Sequence, residues 1–487
     1  MSAIRLPVDL PSKDIADKLV TCYLNTIERV YRILHVPSFM KSYERIWHPE
    51  TLPEPGFLVQ VKLVLALGSI VYDDLFTMRI QATRWLYEAM TWLSDPDFKR
   101  RLHLELVQSK IMVLVAREMI GIGGHMVWNA AGDVQRLAIM MGLHRDPIHL
   151  PRMSILAQEV RRRLWNTILE LCLDTSLSSG GPPMFTFQDF DTAPPGNYND
   201  ADLLLDAPTP APESVFTESS AAIALRCSMP VRLAIARFLN DLGGPLRTYA
   251  EALRLDSEFR ECYRAVRRQM QDAGFAQRFV DMQMHKSLMA LHARFSGPEM
   301  QLALHAYSRK VVLEAALTLW ICANSKFSLT PRTEMDAVEG NSGGKNEEEE
   351  DYMDRMMAIG AGVMRTSMTQ AACLVAMELR LELRDYEEAM GPTQIRMDLL
   401  AVLEDAKRWS LRCIETGEKN VKGYICMSLM VRQIRALIQK VPKEEIPKLL
   451  AKQLEDDEQA LDVFSGTERL DQVSWMFDDV ASQGMSW

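Results

Sequence analysis

Apolar residues recur every three or four positions along most of this sequence, and that spacing predicts amphipathic α-helices and few strands. A first helix is predicted to follow the cap residue Ser12 and to stop before Pro37. One face of that segment carries an apolar row: Ile15, Leu19, Tyr23, Ile27, Tyr31 and Leu34. The pattern predicts an all-α fold, built as a large array of many helices.

The same periodicity predicts helices further along the chain. Their approximate bounds are 56–75, 78–93, 100–120, 128–141, 154–179, 215–241, 246–273, 276–295, 298–325, 353–383, 393–416, 420–440 and 443–459. The helix after Ser154 is apolar over most of its circumference, so we expect it at the centre of the core. Glycines and prolines at 180–183 break it. No fixed-period repeat is present, which disfavours a solenoid.

Candidate catalytic motifs fail on individual residues. The stretch "MMGLHRDP" contains the letters HRD of a protein-kinase loop, but position 151 is Pro where that loop needs Asn, and DFG is missing. The stretch "YDDLFT" offers Asp73 and Asp74 for magnesium, but Thr77 replaces the third carboxylate of a terpene-cyclase motif. We therefore predict no catalytic residue, and "HRDP" is interpreted as a loop that follows a helix ending at Gly142.

Charge and cysteine spacing restrict the ligands. The net charge of −10 is concentrated in two acidic segments, at 334–354 and 455–487, and the remaining body is mildly basic. A diffuse positive charge is a weak sign of nucleic-acid binding. The eight cysteines form no C-x-x-C pair, so no metal or cofactor is predicted in this chain. Without a leader or a long apolar run, we expect a soluble intracellular protein without a membrane span.

The stretch "EVRRRLW" (159–165) places three arginines on the central helix. Buried arginines persist only when carboxylates pair with them, so we predict a structural clasp with Asp174, Asp189 or Asp191. Contact with DNA is the alternative interpretation.

Four separated stretches together resemble the middle homology region of fungal Zn2Cys6 zinc-cluster transcription factors, over about residues 15–205. They are "YRILHVPSF", "RLAIMMGLHRDP", "EVRRRLWNTILELCLD" and "SSGGPPMFTFQDFDTAPPGNYND". The family motif, interpreted as structural, is matched by His35, Pro37, Phe39, Arg136, Gly142, Leu143, His144, Arg145, Asp146, Glu159, Arg161, Arg162, Arg163, Trp165, Gly180, Pro182 and Pro183. Gly181 departs from the family, because many members have Arg there.

The resemblance implies the regulatory and effector region of a nuclear RNA polymerase II transcription factor, without enzyme activity. A helical regulatory domain would comprise 1–333 and 353–454, divided by a disordered acidic insertion at 334–352. The tail 455–487 would bind a Mediator-like coactivator through a candidate activation segment with the bulky residues Phe464, Trp475, Met476, Phe477 and Trp487. A terminal helix docked on the body is the alternative for this tail.

In the family, two zinc ions and the DNA contact belong to an N-terminal cysteine cluster, which this chain lacks. The resemblance also implies control by a small hydrophobic effector or by a partner protein, and a homodimer is a further expectation. Thirty methionines suit an adaptable pocket, although they are also ordinary core residues. The competing function is a helical protein-interaction scaffold with no role linked to DNA.

Overall fold

The computed structural model describes residues 9–48, 53–94, 103–242, 248–271, 273–297, 305–324, 346–388 and 396–461. These residues form α-helices joined by turns and loops, and no strand occurs among them. The helices are α1 Lys13–Asn25, α2 Ile27–Tyr31, α3 Val36–Arg45, α4 Pro55–Gly68, α5 Arg79–Leu93, α6 Leu104–Ile120, α7 Val127–Met140, α8 Ile155–Ser179, α9 Ser220–Asn240, α10 Tyr249–Gln269, α11 Phe275–Ala293, α12 Ala306–Ala323, α13 Asn346–Ile359, α14 Gly362–Glu388, α15 Met397–Glu415, α16 Lys422–Ile438 and α17 Ile446–Leu461. The predicted all-α fold is confirmed.

The first predicted helix is divided in two, which corrects the sequence interpretation. Thr26 separates α1 from α2 because its backbone is not helical, at φ −121° and ψ −89°. Its hydroxyl donates a hydrogen bond of 2.7 Å to the carbonyl oxygen of Cys22, a side-chain bond that competes with helix continuation. α2 then ends at Arg32, which has a left-handed φ of 52°.

The helix predicted over 353–383 is likewise divided. Gly362 has a φ of +60°, and the chain turns there between α13 and α14. α13 begins at Asn346, so part of the segment interpreted as a disordered insertion, 334–352, is helical. Residues 325–345 and the candidate activation residues 464–487 lie outside the described part of the chain.

The chain divides into two compact units. The first comprises 1–287 and 344–364, and the second comprises 288–343 and 365–487. In the second unit, the indole of Trp320 on α12 donates a hydrogen bond of 2.9 Å to the carboxylate of Asp405 on α15. The same indole packs edge-on against the ring of Trp409. No helix within the described residues is both long and apolar enough to cross a membrane.

α4 is buried over most of its length, and α1, α5 and α6 pack around it. Its single cation, Lys62, is fully buried. The ammonium group pairs with Asp9 at 2.9 Å and with Glu88 on α5. A buried lysine keeps its charge only when such carboxylates compensate for lost hydration.

α1 and α4 cross so closely that only glycine fits at the contact. A methyl group added at Gly68 would collide with the carbonyl oxygen of Leu19 and would lie 2.8 Å from its carbonyl carbon. Because backbone atoms cannot rotate away, the two helices would have to separate.

We expect Gly68→Ala to lower the free energy of unfolding by about 2–3 kcal/mol, the upper range for overpacking a core. Urea denaturation followed by circular dichroism measures the change. Gly423→Ala is the matched control, since nothing lies within 4 Å of a methyl group on that helical glycine. It should be neutral or stabilise by up to about 1 kcal/mol. Equal effects of the two substitutions would contradict the proposed close contact.

Candidate functional site: a buried arginine network

α8 carries the arginines of the motif, and its ends are fixed by the sequence. The hydroxyl of Ser154 accepts a hydrogen bond of 3.2 Å from the amide of Ala157 and caps the start of the helix. Gly180 ends it with a left-handed φ of 68°. The predicted helix 154–179 therefore has the predicted bounds, and its middle is buried on all sides.

Arg162 joins the start of α8 to the loop that follows α7. Its guanidinium binds Asp146 through two hydrogen bonds of 3.0 and 2.9 Å and donates a third, of 2.7 Å, to Glu159. Asp146 also accepts hydrogen bonds from the amides of Ile148 and Ala193. Burial opposes ionisation of Asp146, but these donors outweigh it and lower its pKa to about 2.

Arg163 is the most deeply buried cation of the motif. Its guanidinium donates a hydrogen bond of 2.5 Å to the carboxylate of Asp200 and one of 3.0 Å to the hydroxyl of Ser219. Arg32, at the end of α2, pairs with the same oxygen of Asp200. Burial raises the pKa of Asp200, but the charges of the two arginines reverse this effect and the pKa is lowered. Asp200 is therefore a carboxylate held between two buried guanidinium groups.

Arg161 binds backbone instead of a carboxylate. Its Nη2 donates to the carbonyl oxygens of Met141 and Gly142, at 3.0 and 2.8 Å. Gly142 has a φ of +72°, so the chain can turn there and present both carbonyl groups to the arginine. We call Arg32, Arg161, Arg162 and Arg163, with Asp146, Glu159 and Asp200, the arginine network.

The partners predicted for the three arginines are wrong. Asp174 forms an ion pair of 2.5 Å with Lys286. Asp189 accepts a hydrogen bond of 2.5 Å from the nearby amide of Thr186. Asp191 accepts a hydrogen bond of 2.7 Å from the amide of Asp146 and forms an ion pair of 3.2 Å with Arg145. The carboxylates that bind the arginines are instead Asp146, Glu159 and Asp200. All three arginines have protein partners, as a structural clasp requires.

Sequence reasoning missed Glu28, which adjoins the network. It is fully buried on α2 and accepts hydrogen bonds from the hydroxyl of Tyr23 at 2.8 Å and from the amide of Leu34 at 2.9 Å. Burial is the main cause that raises its pKa to about 7, opposed by the charge of Arg32. A glutamate and an arginine four residues apart in an apolar segment were the available signal.

A second buried pair, Glu170 and Arg232, was also missed. Arg232 on α9 donates hydrogen bonds of 2.6 and 2.7 Å to the two oxygens of Glu170 on α8. The two side chains share a fork-to-fork geometry, which is the strongest arrangement available to arginine and a carboxylate. This ion pair holds α9 against α8 at a point further along α8 than the arginine network.

The apolar motif residues pack around this polar centre. Trp165 is 1% exposed, and its indole meets the ring of His144 at 6.4 Å and that of Phe190 at 5.6 Å. Leu143 is fully buried. Arg136, in contrast, points outward and pairs with Asp133 at 2.6 Å.

The N-terminal motif residue His35 contacts the backbone of Asp200, a member of the arginine network. The imidazole of His35 makes hydrogen bonds with the hydroxyl of Ser38 at 2.7 Å and with the carbonyl oxygen of Asp200 at 3.0 Å. Pro37 occupies the first turn of α3, where a missing amide hydrogen is tolerated. Phe39 is buried on α3. The stretch "YRILHVPSF" therefore reaches the network through backbone and side-chain contacts.

The departure at Gly181 has a steric cause. A side chain at this position would begin 2.8 Å from the indole of Trp128. The carbonyl oxygen of Gly181 accepts hydrogen bonds from Ser176 at 2.6 Å and from Asn240 at 2.9 Å, so the backbone cannot move aside without losing them. An arginine at position 181, as expected in other members, would collide with the indole of Trp128. Pro182 and Pro183 follow Gly181 and leave the helix direction.

A cavity of about 540 Å³ opens beside Arg161. Its lining residues come from the start of α6, the end of α7 and α8: His103, Leu104, Glu105, Met140, Met141 and Arg161. The described residues place no carboxylate at ion-pair distance from Arg161. Burial lowers the pKa of Arg161, but arginine remains charged at neutral pH.

Residues 20–208 match the family described as the fungal specific transcription factor domain, so the chain contains that domain. The whole arginine network lies inside the matched residues. The resemblance found in the sequence is confirmed.

Named relatives agree with the family match. Transcription factor asR3 of Sarocladium schorii is 28% identical over 462 residues, covering 88% of this chain and 53% of the relative. Transcription factor opdR of Penicillium oxalicum is 31% identical over 453 residues, covering 88% and 56%. The aspyridones cluster regulator apdR of Emericella nidulans is 26% identical over 411 residues, covering 78% and 52%. The chain spans about half the length of these relatives. No solved structure matches it.

We expect Arg163→Met to destabilise the fold by about 3–5 kcal/mol, because Asp200 would lose one of the two guanidinium groups that stabilise its buried charge and the hydroxyl of Ser219 would lose its donor. Arg136→Met is the matched control from the same motif. Its pair with Asp133 is exposed, so the loss should stay within about 1 kcal/mol. Urea denaturation of the two variants beside the wild type decides. Equal destabilisation by both would contradict a dominant role for the buried pair.

Proposed function

We propose that this chain is the regulatory and effector part of a fungal transcription factor, acts in the nucleus and controls transcription of target genes. The supporting observation is that residues 20–208 match the fungal specific transcription factor domain and contain the complete arginine network. The proteins of this family are transcription factors and not enzymes. DNA contact is proposed to come from a zinc cluster in a different segment of the whole protein.

The target genes are proposed to form a biosynthetic cluster. One relative is named as the regulator of the aspyridones cluster. If this chain has a comparable role, neighbouring genes should respond together when its gene is deleted.

The tail 455–487 is proposed to recruit a Mediator-like coactivator. Its first residues belong to α17, which ends at Leu461, and the aromatic part lies beyond the described residues. Acidic residues interleaved with aromatic ones can bind the apolar groove of a partner as an amphipathic segment. A homodimer of the whole protein stays a prediction.

The cavity beside Arg161 is the proposed site of a small effector. A guanidinium without a carboxylate partner favours an anion, and Leu104, Met140 and Met141 offer apolar contacts beside it. A carboxylic acid with a short hydrocarbon tail combines the two features. Methionine side chains adapt to such a tail because they are unbranched and flexible.

The function is tested by fusing the complete chain to an unrelated DNA-binding domain in a yeast reporter strain. We expect activation, and a fall of about tenfold when Phe464, Trp475 and Phe477 are changed to alanine, because aromatic anchors contribute roughly 2 kcal/mol or more. Changing Ser465 and Ser474 to alanine is the control in the same segment. A silent wild-type fusion that enters the nucleus would instead favour the helical interaction scaffold.

The effector site is tested with octanoate on the purified chain. Octanoate should raise the melting temperature, because a ligand that binds only the folded state stabilises it. Met140→Asp should weaken binding about tenfold or more, since it adds a negative charge to that of Glu105 in the cavity lining and removes an apolar contact. Met184→Asp is the control, because Met184 is 63% exposed and does not line the cavity. Equal stabilisation by octanol, or equal binding by both variants, would contradict an anion site at Arg161.

A further inference from the structure

The loop between α8 and α9 contains a short segment in which every second residue is proline. Pro208, Pro210 and Pro212 alternate with Thr209 and Ala211. A residue that precedes proline is restricted to extended backbone, so this alternation favours an extended segment. The structure agrees, because residues 208–212 contain no helix, turn or bend.

Contacts on both sides attach this segment to the rest of the loop. The amide of Ala211 donates a hydrogen bond of 2.8 Å to the carbonyl oxygen of Asn197. The side-chain amide of Asn197 donates one of 2.9 Å to the carbonyl oxygen of Pro212. Pro208, at the other end of the segment, is buried. The backbone is therefore held both before and after Thr209.

Thr209 itself is exposed between these two attachments. A hydroxyl in a helix or in the core reaches the cleft of another enzyme only after local unfolding, and Thr209 lies in neither. Four exposed apolar side chains flank the segment: Leu204, Leu205, Val215 and Phe216. Exposed apolar groups of this kind can be covered by a protein partner. The fold therefore presents Thr209 to a second protein without rearrangement.

The proline after Thr209 restricts which enzyme would accept this hydroxyl. Proline has no amide hydrogen, so it can lie against a kinase surface that offers no acceptor there. Any other residue at that position would bury an unpaired N–H group, which weakens binding. Two prolines of the chain follow a serine or threonine, namely Pro210 and Pro331, and Pro331 lies outside the described residues.

We propose that Thr209 is a phosphorylation site for a proline-directed protein kinase that uses ATP. The catalytic base of the kinase accepts the hydroxyl proton, and the oxygen of Thr209 attacks the γ-phosphorus of ATP. The bond from that phosphorus to the oxygen bridging the β- and γ-phosphates breaks, and ADP leaves with its electron pair. The products are phosphothreonine, ADP and a proton.

The phosphate adds a charge of about −1.5 to −2 at neutral pH. Residues 202–216 contain no lysine or arginine, so this segment has no cation of its own to pair with the phosphate. The modification therefore places an anion on an exposed loop, and not in the core. This inference goes beyond the proposed role in transcription and does not depend on it.

The test uses the purified full chain, an active mitogen-activated protein kinase, and ATP with magnesium. After the reaction, the protein is digested with a protease that cuts after glutamate, and the peptides are sequenced by mass spectrometry. Thr209 lies in the peptide 171–213, Ser214 in 214–218 and Thr330 in 315–334. We expect a phosphate on Thr209, and a rate similar to that of the synthetic peptide 202–216, because the folded chain needs no local unfolding.

Matched variants separate the effect of proline from that of exposure. Thr209→Ala should remove the phosphate from the peptide 171–213. Pro210→Ala should slow the reaction about tenfold or more, since it introduces an amide hydrogen that the kinase leaves unpaired. Ser214→Ala is the control, because Ser214 is exposed in the same loop but precedes valine. It should leave the rate unchanged.

Three results would overturn the proposal. The first is phosphate on Ser214 or Thr330 in place of Thr209. The second is an equal rate for the wild type and Pro210→Ala. The third is a rate for the full chain more than about tenfold below that of the peptide, because Thr209 would then require local unfolding. Since no reporter is involved, each result leaves the proposed transcriptional role to its own test.

Discussion

The carboxylate of Asp200 is the interaction on which the first unit depends. It lies between the guanidinium groups of Arg32 and Arg163. Its second oxygen accepts a hydrogen bond of 2.7 Å from the amide of Val36. Two buried cations would repel each other without it, and each would lose its hydration without full compensation. Through this one side chain, the end of α2, the start of α3 and the centre of α8 are held at fixed positions. The surrounding helices can pack against them only because these charges are neutralised.

The same network orders a long segment that has almost no regular structure. Between α8 and α9 most of the backbone lacks helical hydrogen bonds, the short 3-10 helix Asp202–Leu204 excepted, so many of its amides need other acceptors. Carboxylates of the network region supply them: Asp146 accepts from Ala193, Glu159 from Gly196 at 2.7 Å, and Glu218 from Asp200 at 2.7 Å. Each of these carboxylates also pairs with an arginine. One set of charged groups therefore satisfies buried side chains and loop backbone together.

How far the sequence predicts this structure follows from the range of each interaction. Helix periodicity and capping are local, so α8 could be predicted from Ser154 to Gly180. The partner of Arg163 lies well outside its own helix, and apolar spacing carries no information about such a pairing, which is why Asp174, Asp189 and Asp191 were predicted wrongly. The break at Thr26 was missed because a threonine is compatible with a helix until its hydroxyl bonds the preceding turn. The family residues themselves marked the site, but not its geometry.

The position of Arg161 indicates how a ligand in the adjoining cavity would be coupled to the rest of the unit. Arg161 donates hydrogen bonds to the carbonyl oxygens of Met141 and Gly142. The carbonyl oxygen of the next residue, Leu143, accepts a hydrogen bond of 2.7 Å from the hydroxyl of Thr192. An anion that draws the guanidinium toward the cavity competes with those carbonyl groups. Since the turn at Gly142 and the loop at Thr192 are joined by direct hydrogen bonds, the two must move together or lose a buried bond. A ligand can shift such an arrangement only by binding its two forms with different affinity, and competition for one guanidinium supplies that difference.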